Sequence, residues 1–415
     1  MDSARGAFFA MASEALGRIA VMVFQWRVAL LLGPSLYGTL GLALASAATL
    51  LPLADMGLQS AALRNLSNTK GGNAFSAVLP LRLWGSIVYL IALPILGLVM
   101  AKQGVSLHTM LLAGSYYLAL SLSDFFRQSF RALELARPEF IARLSYLPAV
   151  AGSLVLVQIV PPSVSAVLLI YCLAPLLLAA VYLAMLLRQG IAPGLDTAAA
   201  KSLLRSEWKG MAQSMLLLAS IALVMRVDLW ILDARINRAA VGFYLAGYNM
   251  VFAGAFLAQA SASQFYPYLS RSGKPRSERM TKVFLAQFSL AICLFFGVFL
   301  FGPVVFGKIY HRPGFSEAIP CLVWFGASLA IASMNVLWSN ILLMKNHQGL
   351  YALALLGQVA VKIAIAPYFL GRWGTSGMAM SSFVIDLPFC IVMGVFAVNG
   401  YLKGDEKRSS GLAAN

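Results

Sequence analysis

Residues 18–55 read RIAVMVFQWRVALLLGPSLYGTLGLALASAATLLPLAD, a long apolar stretch with only three charged residues. Apolar runs of about 20 residues can cross a hydrocarbon core of about 30 Å as helices. This stretch contains most of two such predicted helices, 14–32 and 36–60. Similar runs recur along the chain, whose 415 residues are 60% hydrophobic and 11% charged, whereas about 25% of residues are charged in a soluble domain. The sequence therefore predicts an all-helical protein that crosses a membrane many times.

The same pattern predicts twelve helices, six in each half of the chain. Their approximate ranges are 14–32, 36–60, 79–101, 108–129, 138–160, 164–187, 211–234, 239–266, 281–306, 316–344, 348–370 and 375–400. Residues 33–45 are similar to 237–249, and 129–140 are similar to 340–351, at offsets of 204 and 211 residues. An even number of helices gives both repeats the same orientation in the membrane. The predicted fold class is an all-α polytopic membrane protein with about twelve transmembrane helices in two six-helix, pseudo-symmetric lobes around a central cleft.

The predicted domains are a first lobe at 1–187, a cytoplasmic connecting loop at 188–210, and a second lobe with a short cytoplasmic tail at 211–415. Lys and Arg are enriched in the cytoplasmic loops of membrane proteins. With the N-terminus inside, the predicted cytoplasmic segments contain 20 of the 31 basic residues and the outer loops contain six. We therefore expect both termini in the cytoplasm. This distribution explains the net charge of +16, which is then no evidence for an anionic substrate.

The sequence has no motif that predicts catalysis or a cofactor. It lacks the phosphate-binding pattern GxxxxGK[ST] and the patterns HExxH, GxSxG and DxD. The four cysteines lie singly in apolar segments without a CxxC pair, and the three histidines are scattered, so we expect no metal site. We therefore expect a protein that is not an enzyme, holds no cofactor and binds no nucleic acid.

Residues 18–67 resemble the opening of Wzx-type polysaccharide and O-antigen flippases, in the polysaccharide-transporter branch of the MOP exporter superfamily. Such proteins have an LGPxxYG turn, then an apolar helix, a D-x-G-L segment and an arginine. The matching positions are Leu32, Gly33, Pro34, Tyr37, Gly38, Asp55, Gly57, Leu58 and Arg64. Later segments are also similar to this family: RVDLWIL at 226–232, AAVGFYLAGYNM at 239–250, FGKIY at 306–310 and GRWGTSGMAMSS at 371–382. The twelve predicted helices differ from the fourteen of typical lipid II flippases.

This resemblance implies transport of a polyprenyl-pyrophosphate-linked oligosaccharide across the bacterial inner membrane, for surface polysaccharide biosynthesis such as that of lipopolysaccharide. Two lobes would alternately expose a polar central cavity, and an H⁺ or Na⁺ gradient would supply the energy. The implied partners are the lipid-linked substrate, membrane lipids, and a glycan polymerase or glycosyltransferases.

Ionisable residues within membrane helices are candidate functional residues, because a charge is costly in hydrocarbon. One face of the first helix carries Glu14, Arg18, Val21 and Gln25. Arg18 is therefore a candidate for binding the pyrophosphate; alternatively, it extends to the lipid headgroups. Arg27, nearer the outer end, is a second candidate with the same alternative.

Asp55 and Arg64 are nine residues apart, about half a turn on a continuous helix, and so do not form a pair on one face. Arg64 is placed at the cytoplasmic end, where it either binds a phosphate or extends to the headgroups. Asp55 follows Pro52, which weakens the helix there. We assign Arg64 to substrate binding with Arg18 and Arg27, and Asp55 to gating or ion coupling.

Three further charged residues are candidates for gating or ion coupling. Asp228, near the outer end of helix 211–234, either serves coupling or makes a structural contact between the lobes. Lys362 and Asp386 lie near the middle of sequential helices, where a buried pair is the simplest way to hold both charges. That pair is either sensitive to ions or a static contact.

Three alternative functions remain open at this point. A multidrug or small-cation antiporter of the same superfamily would favour an acidic, aromatic cavity. A membrane enzyme such as a glycan polymerase needs a large outer loop, and the predicted outer loops are short. A scaffold for glycan synthesis without transport activity is the third alternative.

Overall fold

The structure is a computed structural model that describes residues 2–58, 72–133, 135–191, 194–270, 276–311, 314–344 and 347–412. Its regular elements are helices, and the described residues contain no strand, which confirms the all-α fold class. The helices are α1 (Asp2–Thr49), α2 (Leu51–Asp55), α3 (Gly72–Ala101), α4 (Leu107–Ala132), α5 (Ala136–Ile159), α6 (Val164–Arg188), α7 (Thr197–Arg235), α8 (Arg238–Phe252), α9 (Ala255–Ser270), α10 (Arg276–Ile309), a 3₁₀ helix (Phe315–Ala318), α11 (Ile319–Met344) and α12 (Gln348–Leu412).

Nine segments of the described residues are long and apolar enough to cross a membrane, as judged by length and composition. The chain is therefore a multi-pass membrane protein. Two of these segments, Leu16–Asp55 and Gln348–Leu402, have 40 and 55 residues, about twice or more what one crossing needs. Each contains a glycine with positive φ where two helices meet at a kink, Gly33 (71°) and Gly374 (59°). Both glycines lie between helices that are predicted as separate from the sequence. The total of twelve crossings stays a prediction.

The chain divides into two compact units, Met1–Trp230 (unit 1) and Ile231–Asn415 (unit 2). The segment 188–210, predicted as a connecting loop, is helical from Thr197 onward because α7 begins there. Asp196 caps this helix: its Oδ1 accepts a hydrogen bond of 2.9 Å from the backbone N–H of Ala199. The predicted lobe boundaries stay a prediction.

The helix breaks repeat between the units at the offset of 204 residues found in the sequence. In unit 1, a helix begins after Gly33 and is interrupted at Leu50, between α1 and α2. In unit 2, α8 begins after Asn237, whose side chain caps it, and the chain is interrupted before α9 at Gly254. Gly33 corresponds to Asn237 and Leu50 to Gly254. The sequence repeat is therefore a repeat of helix starts and helix breaks.

Unit 1 contains a close backbone contact just after α2. The chain turns there through Met56 and Gly57, whose φ values are 50° and 65°. A Cβ atom on Gly57 would lie 2.0 Å from the carbonyl oxygen of Met211 in α7. Glycine at position 57 therefore provides both the left-handed backbone conformation and the space for α7 to approach.

We expect Gly57→Ala to destabilise the protein by more than about 1–2 kcal/mol, the cost of a left-handed conformation for an L-residue alone, since the collision with Met211 adds to it. The measurement is the thermal unfolding midpoint of the detergent-solubilised protein. Gly152→Ala is the matched control, because Gly152 lies inside α5 and its Cβ would meet nothing within 4 Å. Equal midpoints for the two variants would contradict the close contact.

Candidate functional site

A polar cavity of about 210 Å³ lies within unit 1, between α2, α3, α4 and α7. Its wall includes apolar residues of α1, α2, α4 and α7 and a cluster of polar ones. The polar residues of the wall are Asp55, Arg82, Ser121, Asp124, Gln128 and Ser129. We refer to it as the unit 1 cavity.

Arg82 of α3 connects three helices at this cavity. Its side chain is 2% exposed, and its Nη1 donates hydrogen bonds to Asp55 Oδ1 at 2.7 Å and to the carbonyl oxygen of Ala54 at 3.0 Å. Its Nη2 donates to the carbonyl oxygen of Ser121 in α4 at 3.0 Å and also to the Ser121 hydroxyl. The ring of Phe125 lies 5.7 Å from the guanidinium carbon. A single side chain thus links α2, α3 and α4.

The end of α2 explains why a buried donor is needed here. The last carbonyl groups of a helix have no N–H partner within that helix. The N–H of Met56 donates to the carbonyl oxygen of Pro52 at 2.8 Å, and Arg82 donates to the carbonyl oxygen of Ala54. Gly85, one turn after Arg82, lets α3 approach, because a Cβ there would lie 2.6 Å from that same oxygen. Arg82 and Gly85 of α3 therefore both contact the C-terminal end of α2.

The two carboxylates of the cavity wall, Asp55 and Asp124, belong to ion pairs with different exposure. In the buried pair, the Asp55 side chain is 19% exposed. Within the described residues, Asp55 Oδ2 and Arg82 Nε are buried and have no hydrogen-bond partner. In the other pair, Arg127 lies 2.9 Å from Asp124, and both side chains are more than one third exposed. Arg127 does not itself line the cavity, but it neutralises Asp124 as Arg82 neutralises Asp55, so each carboxylate of the wall has a basic partner.

A second, smaller pocket of about 60 Å³ in unit 1 is lined by the first helix and by tyrosines of α4, α5 and α6. Val21 and Gln25, from the polar face predicted on the first helix, line this pocket. The hydroxyl of Tyr37 donates to Gln25 Oε1 at 3.2 Å. The face predicted from the sequence thus points into unit 1 at these two residues.

Two of the predicted substrate-binding arginines, Arg18 and Arg27, do not line the unit 1 cavity. Arg18 and Arg27 are exposed, and the guanidinium carbon of Arg27 lies 5.9 Å from the ring of Trp26. Arg64 lies outside the described residues. The role of all three in substrate binding stays a prediction.

The predicted coupling residues are distributed over both units. Asp55 lies in the unit 1 cavity, and Asp228, 5% exposed, lies in α7. In unit 2, Lys362 is 3% exposed and one turn from Gln358, whose side-chain amide donates to Asp386. The two halves of α12 therefore meet near Lys362 through a polar contact. The coupling roles stay predictions.

The sequence did not identify Arg82 as the partner of Asp55. One signal was available: these two opposite charges occupy successive predicted helices, 36–60 and 79–101. The same argument predicts the pair of Lys362 and Asp386. Separately, the described residues contain no group of three or more His, Cys, Asp or Glu residues placed to hold a metal ion.

Unit 2 contains a larger cavity of about 750 Å³ between α10, α11 and the second half of α12. Its lining is almost wholly aromatic and aliphatic and includes one amide side chain, that of Asn399. Leu387, Ile391 and Val395 of this lining are exposed, so it is a groove on the side of the unit. The unit 1 cavity is the better candidate for polar chemistry.

Comparisons with known proteins agree with the fold. A family model described as "Polysaccharide biosynthesis protein" matches residues 3–273. No curated protein sequence matches the chain.

Three solved structures illustrate the similarity of fold. The lipid II flippase MurJ in an inward closed conformation has a TM-score of 0.70 at 11% identity, covering 95% of this chain and 89% of MurJ. An inward-facing multidrug resistance MATE family transporter of the MOP superfamily has a TM-score of 0.65 at 15% identity, covering 94% of this chain and 99% of the transporter. A point mutant of the Vibrio cholerae MATE transporter VcmN has a TM-score of 0.56 at 13% identity, covering 97% of each chain.

We expect Arg82→Met to destabilise the protein by about 3–5 kcal/mol, because it leaves the Asp55 carboxylate buried without its cation. The thermal unfolding midpoint in detergent measures this effect. The matched control is Arg27→Met, which removes an exposed arginine from the same unit and is expected to leave the midpoint nearly unchanged. A midpoint for Arg82→Met equal to that of the control would show that the buried pair contributes little.

Proposed function

Because the chain belongs to the polysaccharide biosynthesis protein family, we propose that it is a flippase of the MOP superfamily. Its substrate would be a polyprenyl-pyrophosphate-linked oligosaccharide that is moved across the cytoplasmic membrane for surface polysaccharide biosynthesis. The observation that carries this proposal is the family match, which extends over residues 3–273 and so includes the unit 1 cavity. The similarity of fold to a lipid II flippase supports a role for this protein in transport of the polysaccharide precursor rather than in its synthesis.

The proposed mechanism is alternating access by two lobes around a central cleft. The interrupted helices support it, since discontinuous helices often form binding sites in membrane transporters. Arg18, Arg27 and Arg64 are assigned to the pyrophosphate, because guanidinium groups match phosphate oxygens in geometry and charge. Asp55, Asp228, Lys362 and Asp386 are assigned to gating or to coupling with an H⁺ or Na⁺ gradient.

The proposed location is the inner membrane, with both termini in the cytoplasm. The distribution of Lys and Arg along the sequence supports this orientation. The natural partners of such a protein are the glycosyltransferases that supply its substrate and the polymerase that consumes its product.

The second candidate function is export of drugs or small cations. The multidrug transporters of similar fold favour it, since their alignments extend over nearly the whole of both chains. The two acidic residues of the unit 1 cavity are compatible with a cationic ligand, although the paired arginines neutralise them.

Deletion of the gene, followed by analysis of lipid-linked glycans and surface polysaccharide, separates the two candidates. We expect lipid-linked intermediates to accumulate on the inner leaflet and surface polymer to be lost, because the transport step is missing. Reintroducing the wild-type protein should restore the polymer. Unchanged glycans together with new drug sensitivity would favour the second candidate.

We expect Asp386→Asn to lower surface polysaccharide by about tenfold in the complemented deletion strain, within the roughly 5- to 150-fold range typical of coupling between two sites. The reason is that the proposed ion site loses its negative charge. Polysaccharide is measured with the H⁺ gradient and the Na⁺ gradient each collapsed in turn. Glu317→Gln is the matched control, an exposed carboxylate of the same unit. Wild-type polysaccharide from Asp386→Asn under every condition would exclude a coupling role.

A further inference from the structure

The three-helix contact made by Arg82 has a counterpart at the corresponding place in unit 2. Ala54 corresponds to Ala258 at the repeat offset of 204, and Arg82 corresponds to Gln287 at an offset of 205. Ser121 corresponds to Ser333 at 212, the same offset that relates α4 to α11 at both of their ends. The helices that carry Arg82 and Gln287 start at an offset of 204 and end at 208, so the correspondence of these two residues rests on the contacts they make.

Gln287 binds the two residues of unit 2 that correspond to Ala54 and Ser121, the backbone partners of Arg82. Its side chain is fully buried, and its Nε2 donates to the carbonyl oxygens of Ala258 at 3.4 Å and of Ser333 at 2.9 Å. Its Oε1 accepts a hydrogen bond of 3.0 Å from the hydroxyl of Ser261. Unit 2 thus joins its three corresponding helices with a neutral amide.

The position of Asp55 is also neutral in unit 2, where the corresponding residue is Gln259. The contact between the helices therefore does not depend on charge. Burying a charged pair requires desolvation of both groups, and replacing such a pair by well-packed uncharged, apolar residues of similar volume is often neutral or stabilising. The ion pair in unit 1 consequently needs an explanation other than folding.

The surroundings of the ion pair supply that explanation. Asp55 and Arg82 line the unit 1 cavity, and Asp55 Oδ2 and Arg82 Nε have no hydrogen-bond partner within the described residues. Asp124, Gln128 and Ser129 add further acceptors and donors to the same wall. Each carboxylate of the wall has a guanidinium partner, Asp55 in Arg82 of the wall and Asp124 in Arg127, which does not itself line the cavity, so the wall does not strongly favour a ligand of either charge. It suits a neutral group with many hydroxyls.

We propose that transport, and not folding, requires the Asp55–Arg82 pair, which forms the polar wall of a subsite for one neutral sugar ring of the lipid-linked glycan. This inference rests on the proposed function and names the part of the substrate that unit 1 binds. Carboxylate, amide and guanidinium groups together bind vicinal hydroxyls, since they offer acceptors and donors side by side. The ring of Phe125 beside the guanidinium adds an apolar surface for the face of a sugar. The cavity volume, equal to about seven water molecules at roughly 30 Å³ each, leaves room for one ring.

The decisive variant gives unit 1 the neutral chemistry of unit 2, as the double substitution Asp55→Gln with Arg82→Gln. We expect its thermal unfolding midpoint in detergent to stay near that of the wild type, because no charge is left unpaired. We expect surface polysaccharide in the complemented deletion strain to fall by about tenfold or more, since ligand hydrogen bonds to charged groups are lost. The matched control is Glu278→Gln with Lys282→Gln, which neutralises an exposed ion pair of unit 2 and should change neither quantity.

Binding is tested directly on the purified, full-length protein by saturation-transfer NMR. The probes are free galactose and N-acetylglucosamine, with inorganic pyrophosphate and tetraphenylphosphonium as charged comparisons. We expect sugar signals with the wild type and the control variant, and their loss with the double variant. Sugar signals that persist in the double variant, or are absent from the wild type, would overturn the subsite.

The outcome also separates this inference from the proposed function. Full surface polysaccharide from the double variant would overturn the inference while leaving the flippase function intact. Unchanged lipid-linked glycans in the deletion strain would overturn the proposed function itself. A double variant that fails to fold would also overturn the inference, because the charged pair would then be required for the fold.

Discussion

The carbonyl groups at the end of α2 are the constraint on which the rest of unit 1 depends. Within a membrane protein, a backbone carbonyl that leaves its helix must find a donor from the protein itself, since hydrocarbon provides none. Arg82 provides that donor, and Asp55 compensates its charge in turn. The glycines at 57 and 85 follow from the same arrangement, because α7 and α3 must come within backbone contact of the helix end. A polar cavity can therefore exist inside an otherwise apolar bundle.

In unit 2, a neutral side chain provides the hydrogen-bond donor for the corresponding backbone carbonyl groups. Gln287 reaches the corresponding carbonyl groups as a neutral amide and is held by the hydroxyl of Ser261. Two charged residues of unit 2 near the middle of predicted helices, Lys362 and Asp386, lie in α12 instead. Unit 2 thus has neutral residues at the positions that correspond to Asp55 and Arg82, as expected if the repeat provides the scaffold and the charges of unit 1 serve a separate task. The asymmetry is chemical, while the pattern of helix starts and breaks is shared.

The helical, multi-pass fold was predictable because hydropathy is a local property of the sequence. The kinks at Gly33 and Gly374 fall where the apolar runs were already divided. The start of α7 was not predictable from hydropathy, because the charged segment KSLLRSEWKG at 201–210 has the composition of a loop. The side chain of Asp196 caps the helix and so fixes where it begins. The pairing of Asp55 with Arg82 was missed for another reason. Periodicity shows which residues share a helix face, but not which faces of different helices meet.

The contacts of α2 have a mechanical consequence. The end of this helix is held on one side by α3, where Gly85 lies against the Ala54 carbonyl, and on the other by the backbone of α7 at Met211. Backbone contacts on two sides cannot be relieved by side-chain rotation. We therefore expect these three segments to move together, so that the volume of the cavity changes mainly through side chains. The backbone around the unit 1 cavity is therefore rigid at this place.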